Sequence, residues 1–276
     1  FLAVAFVILK EAFRRGVTNQ QEFEDAGLTV YATIPLSQEH LKRKQKMRLR
    51  EKIKQNIHSI QRDELLAEIN PSDLAIESIR SLRTSLHFAM LDAKNNVVMI
   101  AGASPEVGKS FISSNLATVV AQTGKKVLIL DGDMRKGYLH KIFNKTHKNG
   151  LSDLLINDIK LSQCIQESGI ENLDIIVRGK VPPNPSELLM GQAFTQLIEH
   201  AHQHYDLVII DTPPILAVTD AAIIGNQSGT VLMLARYEQS ALKEIITAVN
   251  RFDINGVEVK GVIFNAVEKR ASNYQY

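Results

Sequence analysis

The sequence predicts an α/β protein built on a doubly wound, mainly parallel sheet with crossover helices. Three observations carry this expectation. Six nearly unbroken apolar runs recur between residues 97 and 265: VVMIAG (97–102), KVLILD (126–131), LDIIV (173–177), DLVIID (206–211), TVLMLA (230–235) and VKGVIFN (259–265). Strands buried on both faces read this way, whereas a half-exposed strand alternates apolar with polar. Helix-forming stretches separate the runs, the alternation from which parallel sheets are built. Finally, a turn of small residues, AGASPEVGKS at 101–110, joins the first run to the helix-like FISSNLATVVAQ. Strand order does not follow from these patterns.

The chain opens on FLAVAFVIL, nine apolar residues followed at once by Lys10, Glu11, Ala12, Phe13, Arg14 and Arg15. Nine residues rise only about 14 Å as a helix, against about 30 Å of hydrocarbon core. With no initiating Met, residues 1–15 are expected to be the inner-leaflet end of a longer transmembrane helix, anchored by Lys10, Arg14 and Arg15. The basic residues follow the apolar run instead of preceding it, which argues against a signal peptide. Residues 16–70 carry weak signals, among them Gly16, Gly27 and a strand-like VYATIP at 30–35, and are expected to be a juxtamembrane linker. Its basic run KRKQKMRLREKIK (42–54) holds eight of the 32 Lys and Arg against one acid. The run is therefore +7, and the rest of the chain, with 24 bases and 29 acids, is −5. Such a segment beside a mildly acidic body suits an anionic surface, where each base near an acidic leaflet contributes on the order of 1 kcal/mol.

The 276 residues are 45% hydrophobic, enough for a buried core, which excludes disorder as the main state. No short repeat or Gly and Pro excess supports a collagen-like or solenoid reading. Cys164 is the single Cys, so an internal disulfide and a structural zinc site are both excluded by count. It is expected to be a reduced, buried thiol in a cytoplasmic compartment.

Chemistry concentrates after the first apolar run. Four residues separate Ala103 from Gly108, Lys109 and Ser110, which is P-loop spacing with Ala in place of the first Gly, although Gly102 lies one position earlier. Small residues let backbone N–H groups turn inward on phosphates at the positive end of a helix. Lys109 is expected to neutralise the β and γ phosphates, and Ser110 to ligate Mg²⁺. The nucleotide-binding candidates are Ala103, Ser104, Pro105, Glu106, Val107, Gly108, Lys109, Ser110 and Phe111. Asp211 ends the run DLVIID before Thr212, Pro213 and Pro214, where a Walker B carboxylate holds Mg²⁺ directly or through water. Asp131 and Asp133 end another run in LDGDMRKG, with Arg135 two residues on. Strand C-termini line the ligand crevice of an open α/β sheet, so the three carboxylates are expected to face the same phosphates.

Together, VLILDGDMR, which looks like a Walker A′ motif, ASPEVGKS and LVIIDTPP resemble the bacterial tyrosine kinases, cytoplasmic domains of polysaccharide co-polymerases that govern capsule and exopolysaccharide export. IESIRSLRTSL (76–86) resembles the family's ExxRxxR motif, carried by Glu77, Arg80 and Arg83, and PPNPSELL (182–189) and DTPPILAVTDA (211–221) also resemble family segments. The likeness implies a P-loop NTPase fold with Walker A, A′ and B motifs, occupying residues 71–268 with a tyrosine tail at 269–276. It implies transfer of the γ-phosphoryl of ATP to tyrosine, with ATP and Mg²⁺ as cofactors. Lys109, Asp131 and Asp133 are the catalytic candidates, and Ser110, Asp133 and Asp211 the metal ligands. Asp131 is the expected partner of the acceptor hydroxyl, a poor nucleophile near pKa 10 that needs a base. Tyr274 and Tyr276 are the expected acceptors. Tyr138 resembles an internal regulatory tyrosine, with Arg178 as the partner of its phosphorylated form.

Glu77 and Arg80 share a helix face while Arg83 lies further round. In the family this motif joins subunits into a ring, so phosphorylation in trans within a closed homo-oligomer is expected. The likeness further implies a cognate protein-tyrosine phosphatase and the polysaccharide polymerisation and export machinery as partners, the membrane but no nucleic acid, and a site facing the cytoplasm at the bacterial inner membrane. Two other readings compete. A partitioning-type membrane-associated ATPase places a second Lys five residues before the P-loop Lys, where this chain has Ser104. A non-catalytic, ATP-sensing scaffold would organise the polymerase without needing phosphotransfer.

Overall fold

In the computed structural model residues 16–42 and 65–268 are described. The expectations for residues 1–15, for the basic run beyond Lys42 and for Tyr274 and Tyr276 lie outside the described residues. In chain order the strands are β1 (Val30–Pro35), β2 (Val97–Gly102), β3 (Val127–Asp131), β4 (Gln166–Ile170), β5 (Leu173–Ile176), β6 (Leu207–Asp211), β7 (Thr230–Arg236) and β8 (Gly261–Val267). The helices are α1 (Gln21–Asp25), α2 (Leu66–Ile69), α3 (Leu74–Ala89), α4 (Lys109–Ala121), α5 (Leu139–Ile142), α6 (Leu151–Leu155), α7 (Leu161–Cys164), α8 (Pro185–Met190), α9 (Gln192–His204), α10 (Asp220–Gln227) and α11 (Leu242–Ile254).

All eight strands join one sheet in the order β1-β8-β7-β2-β6-β3-β5-β4. Every neighbouring pair is parallel except β4 with β5. The chain has the α/β, mainly parallel architecture that its apolar runs predict. β2, β3 and β6 are buried at every position because helices cover both faces. On one face α3 and α4 bury Ile76, Ile79, Leu82, Ile112 and Leu116. On the other, α9, α10 and α11 bury Phe194, Leu197, Ile224, Ile245 and Phe252. Helix α3 starts where the Asp73 side chain accepts the Ala75 N–H at 2.9 Å, an N-cap, and its buried positions then recur every three or four residues through Leu86.

The stretch expected as a linker also builds the sheet. VYATIP is β1, an edge strand that pairs with β8 from Val30 to Pro35. Before it, the Phe23 ring of α1 meets Phe264 of β8 edge-on at 5.3 Å. The Val17 N–H donates to the Ser240 carbonyl, and the Glu238 N–H to the Val17 carbonyl, each at 2.9 Å. This two-bond clamp seats residues 16 and 17 on the turn after β7, so closely that a Cβ on Gly16 would lie 2.2 Å from the Glu238 backbone. After the basic run, Leu65, Leu66 and Ala67 are buried, and the Ala67 N–H donates to Asn115 Oδ1 of α4 at 2.8 Å. Cys164 is buried and free, and burial pushes its thiol up to about 12, so it is inert at neutral pH.

Candidate functional site

The carboxyl ends of β2, β6 and β3 lie side by side, and the sequence places a phosphate loop or an acid at each. Asp131 and Asp211 are register partners across β3 and β6, and Ile100 of β2 is the register partner of Asp211 on its other side. The P-loop therefore leaves the sheet directly beside Asp211, with Asp131 one strand further on. Its backbone turns sharply, with Glu106 at φ 63° and Gly108 at φ 101°. A side chain at Gly108 would be strained by that φ and would also place its Cβ 2.5 Å from Asn265 Nδ2. Asn265 Nδ2 donates to the Val107 carbonyl at 2.9 Å, and Arg236 Nη1 to the Glu106 carbonyl at 3.4 Å. Side chains of β7 and β8 thus hold the loop at two of its carbonyls.

Lys109 and Ser110 open α4, so the loop delivers both to the positive end of the helix. Ser110 Oγ donates to Asp211 Oδ2 at 2.5 Å. Burial lowers the Lys109 ammonium from its ordinary range, opposed by the charges of Asp211 and Asp133. Burial pushes Asp211 up to about 6 even though Lys109 and Ser110 favour its charged form. Asp131 rises well above the ordinary carboxylate range, first by burial and then by repulsion from Asp211 and Asp133. One ammonium, two buried carboxyls and the partly buried Asp133 therefore act on one another electrostatically at the ends of these strands.

The turn after β3 is held by its own acids. Asp133 Oδ1 accepts the N–H groups of Arg135 at 3.1 Å and Lys136 at 2.8 Å, and Asp131 Oδ2 accepts that of Leu139 at 3.1 Å. The opposite oxygens, Asp131 Oδ1 and Asp211 Oδ1, are buried without a hydrogen-bond partner. Orphaned acceptors beside a hydroxyl form an all-oxygen donor set, which suits a hard divalent cation. Among the described residues no group of three or more His, Cys, Asp or Glu could hold a metal ion. A Mg²⁺ here would therefore draw on Ser110, the acids, phosphate oxygens and water together.

Known proteins of similar sequence and fold identify the family. A family described as an AAA domain matches residues 95–256. The chain is 52% identical over 274 residues to the tyrosine-protein kinase wzc of Salmonella typhimurium, covering 99% of this chain and 37% of that protein. A putative tyrosine-protein kinase in the cps region of Klebsiella pneumoniae is 50% identical over 272 residues, with 99% and 37% covered. Among solved structures, the kinase domain of Escherichia coli tyrosine kinase ETK superposes with a TM-score of 0.83 at 46% identity, covering 95% of this chain and 99% of that one. The chain belongs to the bacterial tyrosine kinases. It spans 37% of the length of the two full-length relatives, and corresponds to the kinase domain of the family.

The remaining residues of this bacterial tyrosine kinase domain expected to act lie at the start of α5, just after β5 and on α3. Tyr138 is 37% exposed at the start of α5, and Lys141 Nζ stands 5.5 Å over its ring. Arg178 Nη1 donates to the Gly179 carbonyl at 3.1 Å, and its charge helps to hold the neighbouring His140 down at about 4, chiefly an effect of burial. On α3, Arg80 Nη1 bonds Glu77 Oε1 and also donates to the Pro71 carbonyl at 2.9 Å, with Arg83 half-buried further round. Sequence reasoning missed Asn265 and Arg236. The signal for Asn265 is a polar residue within the otherwise apolar β8 run, GVIFNAV.

Proposed function

We propose that this domain transfers the terminal phosphoryl group of ATP to tyrosines on the C-terminal tail of a neighbouring copy, acting as a protein-tyrosine autokinase in trans. The observation that carries the reading is the register pairing of Asp131 with Asp211 while Ser110 Oγ bonds Asp211, which brings phosphate loop, metal ligand and base candidate to one strand edge. Backbone N–H groups of residues 103–110 would cradle the phosphates, and the Lys109 ammonium would neutralise their outer oxygens. Asp131 would accept the tyrosine proton as the tyrosine oxygen bonds the γ-phosphorus and the bond to the β–γ bridging oxygen breaks, releasing ADP. Bound Mg²⁺, held by Ser110, Asp133 and Asp211, would spread the charge forming on the phosphoryl oxygens and lower the hold of Asp131 on its proton.

Burial raises the proton affinity of Asp131, which suits a base once a bound cation favours its charged form. We read the setting as polysaccharide polymerisation and export at the bacterial inner membrane, with the domain on the cytoplasmic side, and the cps-region relative supports that setting. A cognate phosphatase and the export machinery are the expected partners. Among the described residues no helix is long and apolar enough to cross a membrane.

Mass spectrometry of the chain after incubation with ATP and Mg²⁺ tests the proposal, with Lys109→Met as control. Phosphate on Tyr274 and Tyr276 in the wild-type chain, absent in the variant, is the expected result. Mixing the two chains should place phosphate on the variant's tail if transfer runs in trans. Free phosphate release from a wild-type chain that stays unmodified would instead identify a partitioning-type ATPase.

A further inference from the structure

Three of the segments set apart in the sequence meet at one carboxylate that the proposed chemistry leaves unused. Asp220 belongs to DTPPILAVTDA, is the first residue of α10 and is fully buried. Its Oδ2 accepts from Arg135 Nε at 3.0 Å, and its Oδ1 from Arg135 Nη2 at 3.3 Å and Ser186 Oγ at 2.5 Å. Arg135 closes the Walker A′ sequence, and Ser186 lies in PPNPSELL near the start of α8. Residues distant in sequence are thus bolted together at a single buried group.

The pairing is specific in shape. Two guanidinium nitrogens meet two carboxylate oxygens, a fork that Lys cannot reproduce. The first turn of α10 favours an anion at this position, and Ser186 satisfies one remaining lone pair. A carboxylate enclosed this far is costly unless it is paired, so removing one partner leaves the other uncompensated.

Arg135 also belongs to the turn that carries the catalytic candidates. That turn orients Asp133 and Asp131 through backbone donors: the N–H groups of Arg135, Lys136 and Leu139, with the Gly137 N–H on the Asp133 carbonyl at 2.7 Å. The aim of both acids therefore depends on the shape of the turn. It is packed so tightly that a Cβ on Gly137 would stand 2.4 Å from Asp131 Oδ1. We propose that Asp220 is a positioning residue for phosphoryl transfer: acting through Arg135 and braced by Ser186, it fixes the turn that aims Asp131 and Asp133. The inference rests on the phosphotransfer reading of the site.

The test compares the wild-type chain with Asp220→Asn, Arg135→Ala and the double variant. Asp220→Asn should lower kcat about 10- to 100-fold, as loss of an outer partner does in other sites. Its KM for ATP should stay within about twofold, because the side chains bonded to Asp220, Arg135 and Ser186, lie outside the P-loop. Added guanidinium ion should restore activity to Arg135→Ala but not to the double variant, since the ion needs the Asp220 carboxylate to seat it. Without nucleotide, amide exchange at residues 133–137 should quicken in Asp220→Asn.

A folded Asp220→Asn chain with wild-type kcat, or equal guanidinium rescue with and without Asp220, would overturn the proposal. If Asp220→Asn does not fold, the Arg135→Ala rescue decides, with failure of rescue counting against the inference. If the wild-type chain itself forms no phosphotyrosine, the phosphotransfer reading has failed instead, and the exchange comparison still decides whether Asp220 holds the turn.

Discussion

Asp211 and Asp131 share a strand edge, and enclosing both has a thermodynamic sign that can be measured. An Asp ordinarily near 3.8 that titrates at about 6 in the folded chain binds more protons folded than unfolded between those values. Stability therefore falls as pH rises through roughly 4 to 6 and stays reduced above that window. Asp211→Asn removes the penalty, and should be more stable than wild type at pH 8 by on the order of 2–3 kcal/mol, with the gap closing toward pH 4. Urea unfolding at both pH values checks this, and a wild-type chain at least as stable at pH 8 refutes it. Gly108 sets a second residue-scale expectation. Its φ of 101° and the nearby Asn265 Nδ2 leave no room for a methyl group. Gly108→Ala should destabilise the chain by about 1–3 kcal/mol and weaken ADP binding roughly tenfold or more, read by thermal melts and calorimetric titration.

Between neighbouring elements, the decisive contact is that of α1 with β8. Phe23 is fully buried against Phe264, so Phe23→Ala should cost about 3–5 kcal/mol in chemical unfolding. A change near zero would mean that residues 16–35 are only loosely attached. This packing was hard to read from sequence because α1 is five residues long and β1 buries only Ile34 completely. Neither gives a period to recognise, and the partner that makes Phe23 a core residue lies near the other end of the chain. β4 was invisible for a related reason. Its QESGI is polar, and it forms only by pairing antiparallel with β5 at the edge. By contrast β2, β3 and β6 announce themselves, because burial on both faces demands unbroken apolar runs. The P-loop and the strand-end acids were equally legible, being local in sequence. Asp220 and Asn265 were not, because each matters only through loops brought to it by the fold.

At the scale of the whole molecule, strand order is what the sequence could not supply, and it is also what makes the site. Placing β6 between β2 and β3 is the step that sets Asp211 beside both the P-loop and Asp131. Glu77, Arg80 and Arg83 on α3 are the contact between copies that we propose. Arg80→Ala combined with Arg83→Ala should abolish ring formation in light scattering while changing the domain's own stability by no more than about 0.5 kcal/mol, as befits an exposed ion pair. Rings that persist would remove that role from the motif. The seat of Gly16 and Val17 on the turn after β7 has a mechanical meaning. The same arch that receives these residues follows Arg236, whose guanidinium holds the Glu106 carbonyl of the phosphate loop. Residues 16 and 17 and the phosphate loop are thus tethered to one short stretch, 236–240, the first two by backbone bonds and the loop by a guanidinium.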